Sequence, residues 1–144
     1  MPNSMVRRAF MAAVVGMGFA TIAAAAPVIA AEAPVVIPAT AAEIWKAIDM
    51  HIKELHADID KGVVRNAHQH AFAIRDLVQA LPTHSAGLSP DAIAKVTEQS
   101  KFVDTLAKRL DETGDANDKP GTVANFTKLG GVLKTIRANY PAGT

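Results

Sequence analysis

Beyond residue 40, apolar positions recur every three or four residues, the spacing that lines one face of an α-helix. In the first such stretch the stripe is Ile44, Trp45, Ile48, Ile52, Leu55 and Ile59. Thr40 is the expected N-cap, and Glu43, three residues on, completes a capping box. Asp60-Lys61-Gly62 is the expected end, because glycine supplies the left-handed residue that closes a helix. The flanking stripes are nearly in phase, so a single helix running through this point is the alternative. A second helix carries Val64, Ala67, Ala71, Ile74, Val78 and Leu81 and stops at Pro82. After a linker, Ser89-Pro90-Asp91 combines a capping hydroxyl, a proline at the first helical position and a carboxylate facing free amides.

The third helix shows Ala92, Val96, Val103, Leu106 and Leu110, with only Ser100 in phase across the gap, and ends near Gly114. A polar loop from Asp115 to Gly121 follows. Thr122 is expected to cap a fourth helix with Val123, Phe126, Leu129, Leu133, Ile136 and Tyr140 on its apolar face, and Pro141 ends the fold. Helices of roughly 18 to 25 residues cannot bury such stripes alone, so residues 40–141 are expected to form an all-α, up-and-down four-helix bundle. Gly130-Gly131 inside the last helix costs about 1 kcal/mol per glycine. A close crossing, a slight bend or room for a bound group would account for the pair.

The first 31 residues follow a different pattern. Arg7 and Arg8 precede an Ala- and Gly-rich apolar run from Met11 to Ala26, and cleavage candidates follow Ala26 and Ala31. The run is too weakly apolar for a membrane anchor, which wants roughly twenty strongly apolar residues. Residues 1–31 therefore read as an export signal, with Ala31 the preferred cleavage point, and residues 32–39 as a flexible Pro- and Ala-rich leader. The expected location is the periplasm, or the exterior if the host has no outer membrane, with no stable membrane insertion after cleavage. Arg7-Arg8-Ala9-Phe10-Met11 resembles the twin-arginine family of bacterial export signals. That resemblance implies export after folding, sometimes with a cofactor already inserted.

Without that segment, thirteen basic residues face fourteen acidic ones, for a net charge of −1. Such a mixed surface argues against nucleic acid, which would want a concentrated basic face. The chain has no cysteine. It therefore holds together by packing, and thiolate zinc sites, thiolate-held iron–sulfur clusters, covalent c-type haem and thiol redox chemistry are excluded.

Four of the five histidines fall between His51 and His70. Successive helical residues advance by about 100°, which puts His51 and His56 on opposite shoulders of the first stripe. His68 lies on the shoulder of the second stripe near Ala67 and Ala71, and His70 points well away from it. If the hairpin turns at Lys61-Gly62, His56 and His68 stand at matching heights, with Glu54, Asp58 or Asp60 as carboxylate partners. The candidate metal ligands are thus His51, His56, His68 and His70, and imidazole ligands suit zinc, copper or nickel. The competing account is boundary histidines that hydrogen-bond across the hairpin.

The segment Leu133-Lys134-Thr135-Ile136-Arg137-Ala138-Asn139-Tyr140 resembles the closing helix of the soluble periplasmic b-type cytochromes. That family holds haem b between a Met of the first helix and a His of the last. Met50 is the one residue that carries over, and it lies about 160° from the apolar stripe. The fourth helix has neither His nor Met. The acidic run Asp111–Asp118 lacks the spacing and terminal glutamate of a calcium loop. No Glu-x-x-His pair marks a di-iron site, and nothing marks a hydrolytic nucleophile beside Ser85 or Ser89. A binding protein is expected rather than an enzyme. Three readings follow: reversible capture of a divalent transition metal at the first hairpin, a metal-free interaction or stress-protection module, and a b-type haem electron carrier. Monomer and homodimer are equally compatible with the pattern.

Overall fold

The computed structural model describes residues 34–142, and the proposed export segment lies outside them. They form four α-helices and no strand: α1 (Ala41–Lys61), α2 (Ala67–Ala80), α3 (Pro90–Asp115) and α4 (Lys119–Arg137). Two 3-10 turns, Val64–Asn66 and Leu81–His84, complete the chain order. Each helix packs chiefly on the next in sequence, which gives the up-and-down bundle. None of these helices is long and apolar enough to cross a membrane.

Local chemistry sets the helix ends. The Thr40 hydroxyl accepts the Glu43 N–H at 3.3 Å and donates to the Glu43 carboxylate at 3.0 Å. Gly62 closes α1 with φ of 77°, and the Gly62 and Val63 amides return to the Ile59 and Asp58 carbonyls. The hairpin is therefore a real break, and the continuous-helix alternative falls. Ser89 caps α3 by accepting the Ala92 N–H at 3.2 Å. The cap of α4 is Asp118, which accepts the Gly121 N–H at 3.0 Å, and not Thr122. Thr122 lies buried a turn inside the helix, where its hydroxyl donates to the Asp118 carbonyl at 2.8 Å. The expected polar loop shrinks to residues 116–118 because α3 and α4 each run further than the apolar stripes alone imply. At 14 residues, α2 is also shorter than expected, its ends taken up by the 3-10 turns.

The core follows the stripes closely. Ile44, Trp45, Ile48, Leu55 and Ile59 of α1 meet Ala67, Ala71, Ile74, Leu77 and Val78 of α2 in one buried cluster with the inner faces of α3 and α4. Ser100 is buried in the gap of the α3 stripe, its hydroxyl donating to the Thr97 carbonyl at 2.7 Å. Val123 departs from expectation: it is 40% exposed, and Thr122 and Asn125 occupy the inward positions near it.

The α1–α4 seam is the loosest in the bundle. A groove of about 240 Å³ runs along it, lined by residues including Trp45, Ile52, Gly130 and Leu133. Arg137 spans it, bound to both oxygens of Asp49 at 3.0 and 2.8 Å and lying 4.4 Å over the Trp45 ring. A side chain at Gly130 or Gly131 would meet nothing within 4 Å, so no close crossing explains the pair. The close approach is at Gly114, where a Cβ would sit 2.6 Å from the Val64 carbonyl oxygen.

Candidate metal centre

Along α1, His51, Glu54 and Asp58 occupy positions i, i+3 and i+7, which fall on one shoulder of the apolar stripe. That shoulder faces α2, and His70 comes from α2 to meet it. The two Nδ1 atoms stand 3.2 Å apart, so one carries a proton and donates to the lone pair of the other. The Glu54 carboxylate lies 3.4 Å from His70 Nδ1 and 3.7 Å from His51 Nδ1. Both histidine side chains are 17% exposed and that of Glu54 is 50% exposed, so the cluster opens to solvent on the glutamate side. Behind His70, the Asp58 carboxylate is 3.6 Å from Nε2.

These separations suit a metal ion. Ligand atoms of a tetrahedral zinc site with bonds near 2.0–2.1 Å stand about 3.3–3.4 Å from one another. The three edges here are 3.2, 3.4 and 3.7 Å. A small inward movement of Glu54, the most exposed of the three, closes the triangle. Asp58, 3.6 Å from His70 Nε2, needs only a small movement to accept its N–H, the outer-sphere arrangement that directs a metal to Nδ1. The His51 pKa is lowered below 6.5, first by burial and then by the neighbouring His70, with Glu54 opposing. His51 is therefore mainly neutral at pH 7, and any proton on its Nδ1 need only shift to Nε2 of the same ring for Nδ1 to offer a metal its lone pair.

The structure does not bring His56 and His68 together in either of the two His–carboxylate clusters found among the described residues. His56 stacks on Phe126 of α4, with ring centroids 5.6 Å apart and planes 12° from parallel, and its Nε2 lies 3.8 Å from Asp60. His68 clusters with Asp111 and Asp115 of α3. The reason is rotational. His56 is five residues beyond His51, about 140° around the helix, which turns it toward α4. His68 and His70 differ by two residues, about 200°, so when one faces α1 the other faces α3. The 3-10 turn also rises faster than an α-helix, about 2.0 Å per residue against 1.5 Å. It lifts α2 until His70, rather than a residue further on, stands level with His51. Of the residues named for the haem alternative, Met50 is 50% exposed on the outside of α1. His84 sits in the second 3-10 turn, its Nδ1 2.9 Å from the Ala80 carbonyl.

Compared with models of known protein families, with curated proteins and with solved structures, the chain matches none. The functional argument therefore rests on the geometry of the site.

Proposed function

We propose that this protein captures a divalent transition-metal ion reversibly, through His51, His70 and Glu54 at the first helical hairpin. The observation that carries the reading is the triangle of ligand atoms with edges of 3.2, 3.4 and 3.7 Å. Three protein ligands leave a fourth position to water, which favours exchange over permanent structural binding. Two imidazoles and one carboxylate suit zinc, copper or nickel better than calcium or magnesium. The paired arginines and apolar run at the N-terminus support export, and a periplasmic metal buffer or sensor is the role in keeping with both features. The work proposed for the site is binding, with no bond made or broken.

Zinc titration of the purified protein by calorimetry, beside single His→Gln variants, tests the reading. His51→Gln and His70→Gln should each weaken the tightest zinc equivalent by about 100-fold or more. Asp58→Asn should weaken it about tenfold, as expected of an outer-sphere partner. His56→Gln and His84→Gln should leave it within about twofold of wild type. Equal losses across all the histidines, or none at His51 and His70, would sink the proposal.

A further inference from the structure

Two links join α1 to α4, one near each end of the groove between them. At one end Arg137 crosses to Asp49 and covers the Trp45 ring. At the other, one turn beyond Ile52 and Gly130, His56 stacks on Phe126. Between these links the groove of about 240 Å³ is walled by Ile48 and Ile52 of α1 and by Gly130 and Leu133 of α4. Its lining runs from Trp45 to Ile52 on one helix and from Gly130 to Arg137 on the other. Each stretch rises by about 10 Å at about 1.5 Å per residue, so the groove is long and narrow.

The glycine on its wall and the polar atoms beside it bear on what it holds. Glycine is a poor helix former, yet Gly130 has neither a positive φ nor a close neighbour that would require it. A larger side chain there would enter the groove. Among the described residues, two buried side-chain nitrogens have no hydrogen-bond partner, Trp45 Nε1 and Arg137 Nε, and both belong to residues that line this groove. Both are donors. The charged residues of the lining are Asp49, Lys134 and Arg137, and Arg137 holds both oxygens of Asp49, so the charge of Lys134 is left over. Apolar walls with donors lacking acceptors and one surplus cation are complementary to an anion carried on an apolar body.

We propose that the α1–α4 groove binds a small amphipathic monocarboxylate. Its apolar body lies along Ile48, Ile52 and Leu133 over Gly130, and its carboxylate meets the Lys134–Arg137 end. The groove is smaller than the roughly 300–1,000 Å³ of pockets for drug-sized ligands and larger than the cavity of about 150 Å³ that takes benzene. A medium-length alkyl acid or a one-ring aryl acid has the matching size. The site shares no residue with the hairpin centre, so each reading stands or falls alone.

Trp45 is the only tryptophan of the chain, so its fluorescence follows titration with octanoate or 3-phenylpropionate, and calorimetry gives the stoichiometry. One equivalent of acid should bind saturably, and the tighter of the two probes decides between an alkyl and an aryl occupant. The alcohol and the amine matching that probe should each bind at least about tenfold more weakly, because neither brings an anion to the donors. Gly130→Leu should weaken binding by about tenfold or more by filling the groove. Circular dichroism melts of that variant should show an intact fold, since leucine is the better helix former. No saturable uptake of either acid would overturn the proposal, as would uptake unchanged in Gly130→Leu or an alcohol that binds as tightly as its acid.

Discussion

Replacing Gly114 with alanine should destabilise the bundle, although alanine is the better helix former. The new Cβ would lie 2.6 Å from the Val64 carbonyl oxygen, 3.4 Å from Ala67 Cβ and 3.6 Å from the Val64 carbonyl carbon. A flexible side chain would move aside, but the nearest atom belongs to the backbone. That same carbonyl accepts the Ala67 N–H at the start of α2, so moving it also disturbs the hairpin. Overpacking of this kind costs typically 1–3 kcal/mol, against a propensity gain of about 1 kcal/mol for replacing glycine in a helix. The net expectation is a loss of up to about 2 kcal/mol, toward the upper end because the clashing atom is backbone. At roughly 4–8 °C per kcal/mol for a domain of about a hundred residues, Tm should fall by up to about 16 °C. Gly130→Ala and Gly131→Ala are the matched controls, because their added Cβ atoms would meet nothing within 4 Å. Each should gain up to about 1 kcal/mol. Thermal melts followed by circular dichroism at 222 nm compare the three. A Gly114→Ala protein as stable as the Gly130→Ala protein would refute the reasoning about the hairpin–α3 contact.

The remaining expectations concern titrating groups. The His51 pKa is lowered by burial and by His70, so as pH falls through 6.5 the unfolded chain takes up a proton before the folded one. Stability should therefore drop below pH 6.5 until the native pKa is reached, and zinc affinity should drop with it. Melts of wild type and His51→Gln between pH 5 and 8 check this, and an equal acid loss in both would refute it. Tyr140 behaves in the opposite pH range. Ser85 gives its proton to the Leu81 carbonyl, so the Tyr140 hydroxyl, 2.7 Å away, donates to Ser85 Oγ. Burial raises the Tyr140 pKa above 10.0, so stability should be lost as pH rises past about 10. Tyr140→Phe should cost about 0.5–1.5 kcal/mol at pH 7 and flatten that alkaline loss in a pH series of melts.

Much of the bundle was legible because burial and helix spacing carry the same information. Ile44, Ile48, Leu55 and Ile59 read as one face and are one face, and Thr40, Gly62 and Ser89 end helices through chemistry that the residue types announce. Thr122 misled because a hydroxyl before an apolar run signals a cap equally well from inside the helix. Asp118, followed by Pro120 at the second helical position, was the stronger signal. The candidate site was half legible. His51, Glu54 and Asp58 share a shoulder by spacing alone, but which shoulder faces α2 depends on how the helices are arranged in space. Height matching favoured His56 with His68. Rotation decided otherwise, and no local pattern encodes the rotation of one helix against the next. The run Asp111–Asp118 lacks the spacing of a calcium loop, and α3, expected to end near Gly114, continues through Asp115, so that Asp111 and Asp115 stand one turn apart on a helix.

The helix that carries the ligands is itself poorly anchored at that end. No side chain caps α2, and its first turn has no acidic residue to meet the free amides. Its start is held instead by the 3-10 turn, by the close approach at Gly114 and by the contacts of His70 with His51 and Asp58. A helix end with weak local support opens more readily than the core behind it. A metal ion bound through His70 would tie that end to α1, and its binding energy would add to the stability of that segment. At a free metal concentration of about 100 times Kd, mass action contributes about 2.7 kcal/mol, comparable with the loss of a sizeable core contact. Ala67 and Ala71, buried beside the histidines, supply the rest of the design. Their small side chains let α2 approach α1 closely enough for the His70 imidazole to reach Glu54 and Asp58 across the seam.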